Sequence, residues 1–564
     1  MSPKYARLCR GPWSRSTAPS LGVAIALLVA ACSSGNGDAG GTTTTESARR
    51  TTDPNTECPT EVDAEQFASA EVLRDLLAEF NAFGLRSPAS EQHEASIDWL
   101  AGELGDVPGM EIEFDEYTID RWQPTPEAPG DIPGRDLAAA GALTVDDGTS
   151  SEEIAVAGAV PFTLPTSGDG VTGELAFLAA DQITAAAAAG KIVVTEIPHS
   201  SVPYAAFGAI GHVLTDDVPT EGDYDRPYLR ALDAILVDAG TAGAAGVVMA
   251  WDAPTEQLRG YWDPHTGTKF RVPAVYVGND DVERLRDLAA GGASAQLSVL
   301  AEWDEAPTRN LIATLPGRTR ERIVVNTNTD SVTWVQENGT IAALALARYL
   351  GNLPPECRTK DVQFALTTNH LGFTADGTFR YGLELDEGFD AGTVAFVMAP
   401  EHLGTREILP GGPDNRLEHT GEGEVFVWSA PEESPVLVQA TLEAVQRRDL
   451  DRTAVLKGVG APEAGQVPSI CSQGGLGTNF HGLLIPTIAG ISGSWSLWAP
   501  AFGEDAIDFE RMRDQALAFG DIAVALDDVP ADEIAGGYVA AREQRADGAA
   551  TCDLTPPPAE APAP

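Results

Sequence analysis

The chain is short of positive charge. Thirty-six Lys and Arg stand against 84 Asp and Glu over 564 residues, a formal net charge of −48. Such a surface repels nucleic acid and anionic lipid headgroups, so neither is expected as a direct partner. Solubility or salt adaptation accounts for the excess more simply than an acidic recognition surface does. Cysteine is scarce too: there are six, none in a C-x-x-C spacing, so no cysteine-based metal knuckle is expected. No G-x-S-x-G elbow occurs, which argues against an ordinary serine hydrolase. The small residues of Gly240–Gly246 (GTAGAAG) are not part of a G-x-G-x-x-G, so they suit a close helix–strand contact better than a phosphate cradle. What is present is ordinary globular composition, 43% hydrophobic and 21% charged, in a chain too long for one hydrophobic core.

The N-terminus reads as an address. Lys4, Arg7, Arg10 and Arg15 precede an apolar stretch, Leu21–Ala31, too short to span a bilayer permanently. It ends in Leu28-Val29-Ala30-Ala31-Cys32, small residues before a cysteine, which resembles a bacterial lipobox with Cys32 as the lipidated residue. The expectation is a signal peptide over 1–31, lipid attachment to the outer face of the cell membrane, and a flexible Gly/Thr/Ser-rich tether over 32–57. Cys9 leaves with the signal. Cys58, Cys357, Cys471 and Cys552 remain, an even number in an oxidising compartment, and two disulfides are expected. Of the three pairings, Cys58–Cys552, a clasp between chain ends, comes first, with Cys357–Cys471 as its complement.

Helical periodicity at Ala64–Phe83 and Glu91–Leu104, then alternation at Met110–Tyr117, open the folded region. A Pro/Gly-rich stretch from Gln123 to Arg135 reads as a linker. Residues 136–305 are richer in β-branched runs and glycine. From Thr308 to Leu526 strands and helices alternate: Asn310–Leu315, Ile323–Val325, Ile341–Leu350, Val362–Leu366, Val394–Ala399, Pro435–Asp449, Leu483–Ile491 and Phe509–Asp527. The alternation predicts an α/β fold, a mixed and mostly parallel sheet flanked by helices. The division follows: a discontinuous α/β domain over 58–135 and 306–555, a β-rich insert over 136–305, and a disordered tail over 556–564.

Several segments resemble the di-zinc aminopeptidase and carboxypeptidase family, which includes bacterial leucyl aminopeptidases and glutamate carboxypeptidase-like proteins. They are NLIATLPG (Asn310–Gly317), Asp330-Ser331-Val332, AALALARYL (Ala342–Leu350), VQFALTTNHLGF (Val362–Phe373) and LWAPAFGEDAIDFERM (Leu497–Met512). FGLRSPAS (Phe83–Ser90) looks like the family's entry turn, and the insert, with GKIVVTEIP, Ile235–Asp252 and Arg271–Gly292, resembles a protease-associated domain. The resemblance implies two zinc ions held by His and carboxylate side chains, with a carboxylate base over the metal-bound water. The residues at the implied places are different. Asn328 stands where the first His ligand falls, Glu337 where the bridging Asp falls, and Glu401 where a further Asp falls. Asn369-His370 replaces the Glu-Glu pair of base and ligand, and Trp498 the last His. Asp330, which orients the His ligand in the family, is retained. The family's Ser-Asp-His-x-x-Phe loop reads Gly475-Leu476-Gly477-Thr478-Asn479-Phe480.

A neutral amide is a poor zinc ligand and cannot accept a proton from metal-bound water, and losing such a base typically forfeits ~10²–10⁴-fold in rate. The catalytic positions Asp330 and Asn369 are thus read as degenerate, as are Asn328 and Trp498 among the ligands, and no cofactor is expected. The alternative is a rebuilt site for one ion: zinc on Glu337, His370 and Glu401, with Asp330 or His402, or calcium using Asn328 and Asn338 oxygens. Cys471 with His481 is read as a disulfide half and a bystander. His93, His199, His212 and His265 are read as surface or loop histidines. Trp495 and Trp498 are packing residues or, if exposed, anchors for an apolar or peptidic ligand. The expected function is a lipid-anchored cell-envelope pseudo-peptidase that binds a peptide or protein; the alternative is a metal-dependent peptidase with a remodelled site.

Overall fold

The computed structural model describes residues 58–128, 132–198, 201–230, 232–264, 267–374, 376–412, 414–457 and 474–548. The signal peptide, Cys32, the tether, His199, His265, Cys471, Cys552 and the tail lie outside them.

Two sheets organise the chain. In the larger, nine strands lie in the order Glu111–Pro124, Ala301–Leu315, Asp361–Thr367, Arg322–Asn328, Val394–Pro400, Thr487–Ile491, Phe426–Ser429, Thr453–Leu456 and Gly211–Leu214. The four strands from Asp361–Thr367 to Thr487–Ile491 run parallel; antiparallel pairings join further strands on both sides, with Phe426–Ser429 and Thr453–Leu456 parallel to each other. The central strands are near-continuous apolar runs, and all seven residues of Val394–Pro400 are buried, as a strand covered by helices on both faces requires.

The helix Gly339–Asn352 packs directly behind the strand ends. Twelve of its fourteen residues are buried, which explains an apolar pattern on nearly every side. It begins where it does because Gly339 allows close approach: a Cβ there would lie 2.1 Å from the Pro400 carbonyl oxygen. The helices Ala70–Asn81 and Glu91–Gly105 start at Ser69 and Ser90, whose hydroxyls accept from Val72 N and His93 N. Asp508 caps Phe509–Leu526 in the same way.

The chain leaves the large sheet after Pro124 and re-enters it at Ala301. Between these points it builds a second, eight-stranded sheet, in the order Ser151–Ile154, Gly141–Asp146, Ser294–Val299, Val171–Phe177, Ile192–Glu196, Gly246–Ala250, Ala274–Val277 and Gly158–Ala159. One excursion departs from the boundary read at 136–305. After Ile192–Glu196 the chain crosses to the large sheet, where Gly211–Leu214 pairs antiparallel with Thr453–Leu456, before returning as the helix Leu232–Ala242. Arg226 pins this excursion: its guanidinium is buried against Glu424, with Nη2 2.8 Å from Oε1.

The disulfide pairing differs from both sequence expectations. Cys58 bonds Cys357, so it is not bonded to Cys552, nor Cys357 to Cys471. Cys357 closes the short turn Pro355–Cys357 that follows the helix Gly339–Asn352, and this brings its Cα to 5.2 Å from that of Cys58. The placement of Cys58 and Cys552 at opposite ends of the folded region said nothing about that turn.

Candidate functional site

The parallel strands deliver Asn328, Thr367 and Pro400 to one edge of the sheet, and the loops that follow carry residues 329–338, 368–373 and 401–404. Open α/β sheets place their sites at this edge. All the residues singled out in sequence are buried here: Asn328, Asp330, Glu337, Asn369, His370, Glu401 and Trp498.

Asn328 is turned into the sheet. Its Oδ1 accepts from the hydroxyls of Thr367 (3.0 Å) and Thr378 (3.3 Å), and its Nδ2 is buried without a partner. Asp330 grips the next loop, accepting from His370 N (3.1 Å) and Leu371 N (2.5 Å). Burial raises its pKa to about 6, with these backbone hydrogen bonds opposing. Asn369 sits at φ +76°, a left-handed conformation that Asn tolerates. Its Nδ2 donates to Thr374 O (2.7 Å) and to Asp376 Oδ2 (3.2 Å), so it ties its own loop together rather than addressing a substrate.

Glu337 ends the loop before the helix. Neither carboxyl oxygen has a hydrogen bond of ordinary geometry, and His370 Nε2 lies 3.6 Å from Oε1. Burial, then the charges of Asp330 and Glu401, push its pKa well up against the weaker pull of Arg86. Arg86 is itself fully buried, over the Phe80 ring at 4.1 Å, and burial lowers its pKa to about 10. Its backbone bridges to Ser331 in both directions (2.9 and 3.0 Å), so the FGLRS turn braces the loop that carries Asp330 and Glu337.

Glu401 is held by the glycine loop. Leu476 N donates to its Oε1 at 2.7 Å, and a Cβ at Gly475, where φ is +51°, would lie 2.0 Å from that oxygen. Glycine at 475 makes room for the side chain at 401. Burial raises Glu401 to about 8. His402 bonds through Nδ1 to Ser492 O (2.8 Å), and burial lowers its pKa to about 4, which leaves it neutral. Trp498 accepts at its carbonyl from Trp262 N (3.0 Å), while Trp262 Nε1 donates to Leu371 O (2.9 Å). The segment after the strand Gly246–Ala250 thus lies against the site loops.

Two histidine readings change. His93 is neither a surface nor a loop residue: it is fully buried on the helix Glu91–Gly105, with Nε2 2.8 Å from Thr329 Oγ1 and Nδ1 accepting from Ala89 N. Burial and the nearby cations Arg86 and Arg309 take its pKa down to about 3. His212 lies half-buried on the strand Gly211–Leu214, 2.9 Å from Ala430 O. His481 is a buried partner of Tyr538 (2.8 Å). Trp495 and Trp498 are both buried, so neither is an exposed anchor. Arg86, His93, Gln336 and Gly475 were not among the residues read as functional. Arg86 and Gly475 stand inside quoted motifs and were open to notice there, whereas nothing in the sequence marks His93 or Gln336.

No family model and no curated protein matches the chain. Solved structures do. It is similar to an aminopeptidase from Aneurinibacillus sp. strain AM-1, at 16% identity and a TM-score of 0.51, covering 88% of this chain and 99% of that one. A zinc aminopeptidase from Bacillus subtilis aligns at 16% identity and a TM-score of 0.55, covering 85% and 99%. A peptidase M28 precursor from Shewanella amazonensis SB2B aligns at 15% identity and 0.54, covering 82% and 95%. The chain has the zinc-aminopeptidase fold. At these identities the likeness bears on fold alone, and the chemistry rests on the side chains.

Those side chains do not fit a pair of zinc ions. The Asn328 oxygen is already engaged by two hydroxyls, the Asn369 amide holds its own loop, and an indole nitrogen at 498 has no lone pair to give. Among the described residues, no three His, Cys, Asp or Glu side chains gather closely enough to hold an ion. Glu337 and His370 come together, but Glu401 is turned to Leu476. Of the two amide oxygens in the calcium alternative, that of Asn328 is taken up by two hydroxyls, and that of Asn338 accepts one hydrogen bond, from Leu403 N (2.8 Å).

Proposed function

We propose that this protein is a pseudo-peptidase: a non-catalytic, lipid-anchored protein of the cell envelope that uses an aminopeptidase scaffold to bind a peptide or protein. The observation that carries the reading is Asn369. It stands where the resemblance puts the proton acceptor, it cannot accept a proton, and its amide nitrogen is committed to Thr374 and Asp376. The lipobox-like stretch ending at Cys32 supports attachment to the membrane, and the insert, whose sequence resembles a protease-associated domain and whose Trp262 segment lies against the site loops, would add binding surface.

A second reading is favoured by one contact, the 3.6 Å approach of His370 to Glu337. On that reading the protein is a hydrolase whose site is centred on Glu337, His370 and Glu401. Purified protein assayed with zinc against a panel of aminoacyl substrates separates the two. The pseudo-peptidase reading expects no turnover above buffer. Hydrolysis abolished by His370→Ala would overturn it.

A further inference from the structure

The Cys58–Cys357 bond leaves two cysteines to account for. On the sequence reading Cys9 leaves with the signal peptide and Cys32 carries lipid, so Cys471 and Cys552 remain. Both lie outside the described residues, but the elements they flank do not. Cys471 stands three residues before Gly474, and Cys552 seven residues after Arg545 of the last described helix, Tyr538–Ala546.

Those flanking elements are packed together. His481 Nδ1 lies 2.8 Å from the Tyr538 hydroxyl, and the two rings meet edge to face at 5.8 Å. Arg542 and Arg545 both donate through Nη1 to Leu483 O, at 2.9 and 3.0 Å. The last described helix thus lies against Gly477–Gly482, the short helix that follows the glycine loop. From Gly474 to Leu483 the chain spans at most about 22 Å, because much of it is helical, and the Arg545 side chain adds about 10 Å. The seven residues from Arg545 to Cys552 reach about 24 Å and the three from Cys471 to Gly474 about 10 Å. A disulfide itself separates its Cα atoms by about 5.5 Å. Chain length is therefore sufficient even at the widest separation.

We propose that Cys471 and Cys552 form a second disulfide, and that this bond positions the glycine loop on which Glu401 rests. Leu476, two residues past Gly474, supplies the N–H that bonds Glu401 Oε1 at 2.7 Å. The loop is held on its far side by Gly477–Gly482, through His481 and Tyr538. A bond at Cys471 ties its near side to the same helix through Cys552. Formation takes two protons and two electrons from the two thiols. The acceptor is the disulfide of an extracytoplasmic thiol oxidoreductase: one thiolate attacks it to give a mixed disulfide, and the second thiolate then releases the oxidoreductase as a dithiol. This rests on the envelope placement within the proposed function and is indifferent to whether the site is catalytic.

The test alkylates free thiols on the purified full chain, digests it without reductant, and reads the fragments by mass spectrometry. A fragment joining Cys471 to Cys552 is expected, with neither cysteine alkylated. Alkylation of either, or a bond from either to a third cysteine or a second chain, would overturn the pairing. The N-terminal fragment tests the premise separately: an unlipidated Cys32 beside an intact Cys471–Cys552 fragment sinks the anchoring reading and leaves the bond standing. Cys552→Ser tests the positioning role. Expected are one alkylated thiol per chain, at Cys471, and an intact Cys58–Cys357 fragment. Amide exchange at Leu476 is expected to be about tenfold faster, with exchange at Val324 of the central strand Arg322–Asn328 unchanged. Unchanged exchange at Leu476, or an equal rise at both amides, would overturn that role.

Discussion

Replacing Glu401 with glutamine should change how stability depends on pH. Glu401 is buried, its Oε1 accepts from Leu476 N, and its pKa in the folded protein is about 8 against an ordinary 4.5. The folded state therefore keeps a proton that the unfolded chain gives up over this range. Stability from this group is complete below about pH 4.5 and is lost as pH rises toward 8. At pH 7 the loss amounts to about 3 kcal/mol, taking 1.36 kcal/mol per pKa unit. Glutamine has no proton to lose, nearly the same shape, and an oxygen that still accepts from Leu476 N. Urea unfolding of both proteins, followed by tryptophan fluorescence between pH 4 and 8, measures the difference. Asp330 tilts the native curve the same way and cancels between the two proteins; Glu337 tilts it too, and removing the Glu401 charge eases that tilt, which adds to the gain of the variant. Glu401→Gln is expected to gain on the native protein steadily as pH rises, by about 3 kcal/mol between pH 4 and 7. An offset independent of pH would refute the burial of a carboxyl that keeps its proton at this position.

Further outcomes follow from the same geometry. Gly475→Ala should destabilise by about 1–3 kcal/mol more than Gly412→Ala. Both glycines have positive φ, but only at 475 does a Cβ meet Glu401, whereas at 412 nothing lies within 4 Å. Equal costs would mean that Glu401 does not occupy that space. Asn369→Glu, which puts back a carboxylate, should restore no hydrolysis and should destabilise by about 2–4 kcal/mol, through loss of two hydrogen bonds and a worse fit at φ +76°. Activity gained by this one change would show that the remaining site is functional. Non-reducing peptide mapping should recover a fragment joining Cys58 to Cys357, and Cys58→Ser should lower stability by roughly 2–5 kcal/mol, since the bridge spans 299 residues. A Cys58–Cys552 fragment would contradict the pairing.

Much of the scaffold was legible because it is written locally. The apolar run at Ile341–Leu350 became the helix Gly339–Asn352, and Ile323–Val325 and Val362–Leu366 each gained a few residues as parallel strands. The parallel centre of the sheet follows from that alternation. Its antiparallel flanks do not, because Gly211–Leu214 finds its partner more than two hundred residues away in a segment that otherwise reads as part of the insert. The candidate site divides in the same way. Residues at strand ends, such as Asn328 and Glu401, could be placed from the segments around them. What they do could not: the threonine hydroxyls that take up the Asn328 oxygen lie at 367 and 378, and the space that admits Glu401 is an absence of side chain at 475. His93 was misplaced for the same reason, since its burial depends on Thr329 across the sheet edge.

On the pseudo-peptidase reading the scaffold survives while the donors needed for paired zinc ions have been lost or turned to structural use. Zinc content of the purified chain after equilibrium dialysis against the metal decides it. The expected result is well below one zinc per chain, unchanged in His370→Ala. One or two zinc ions bound per chain, and lost on His370→Ala, would contradict it.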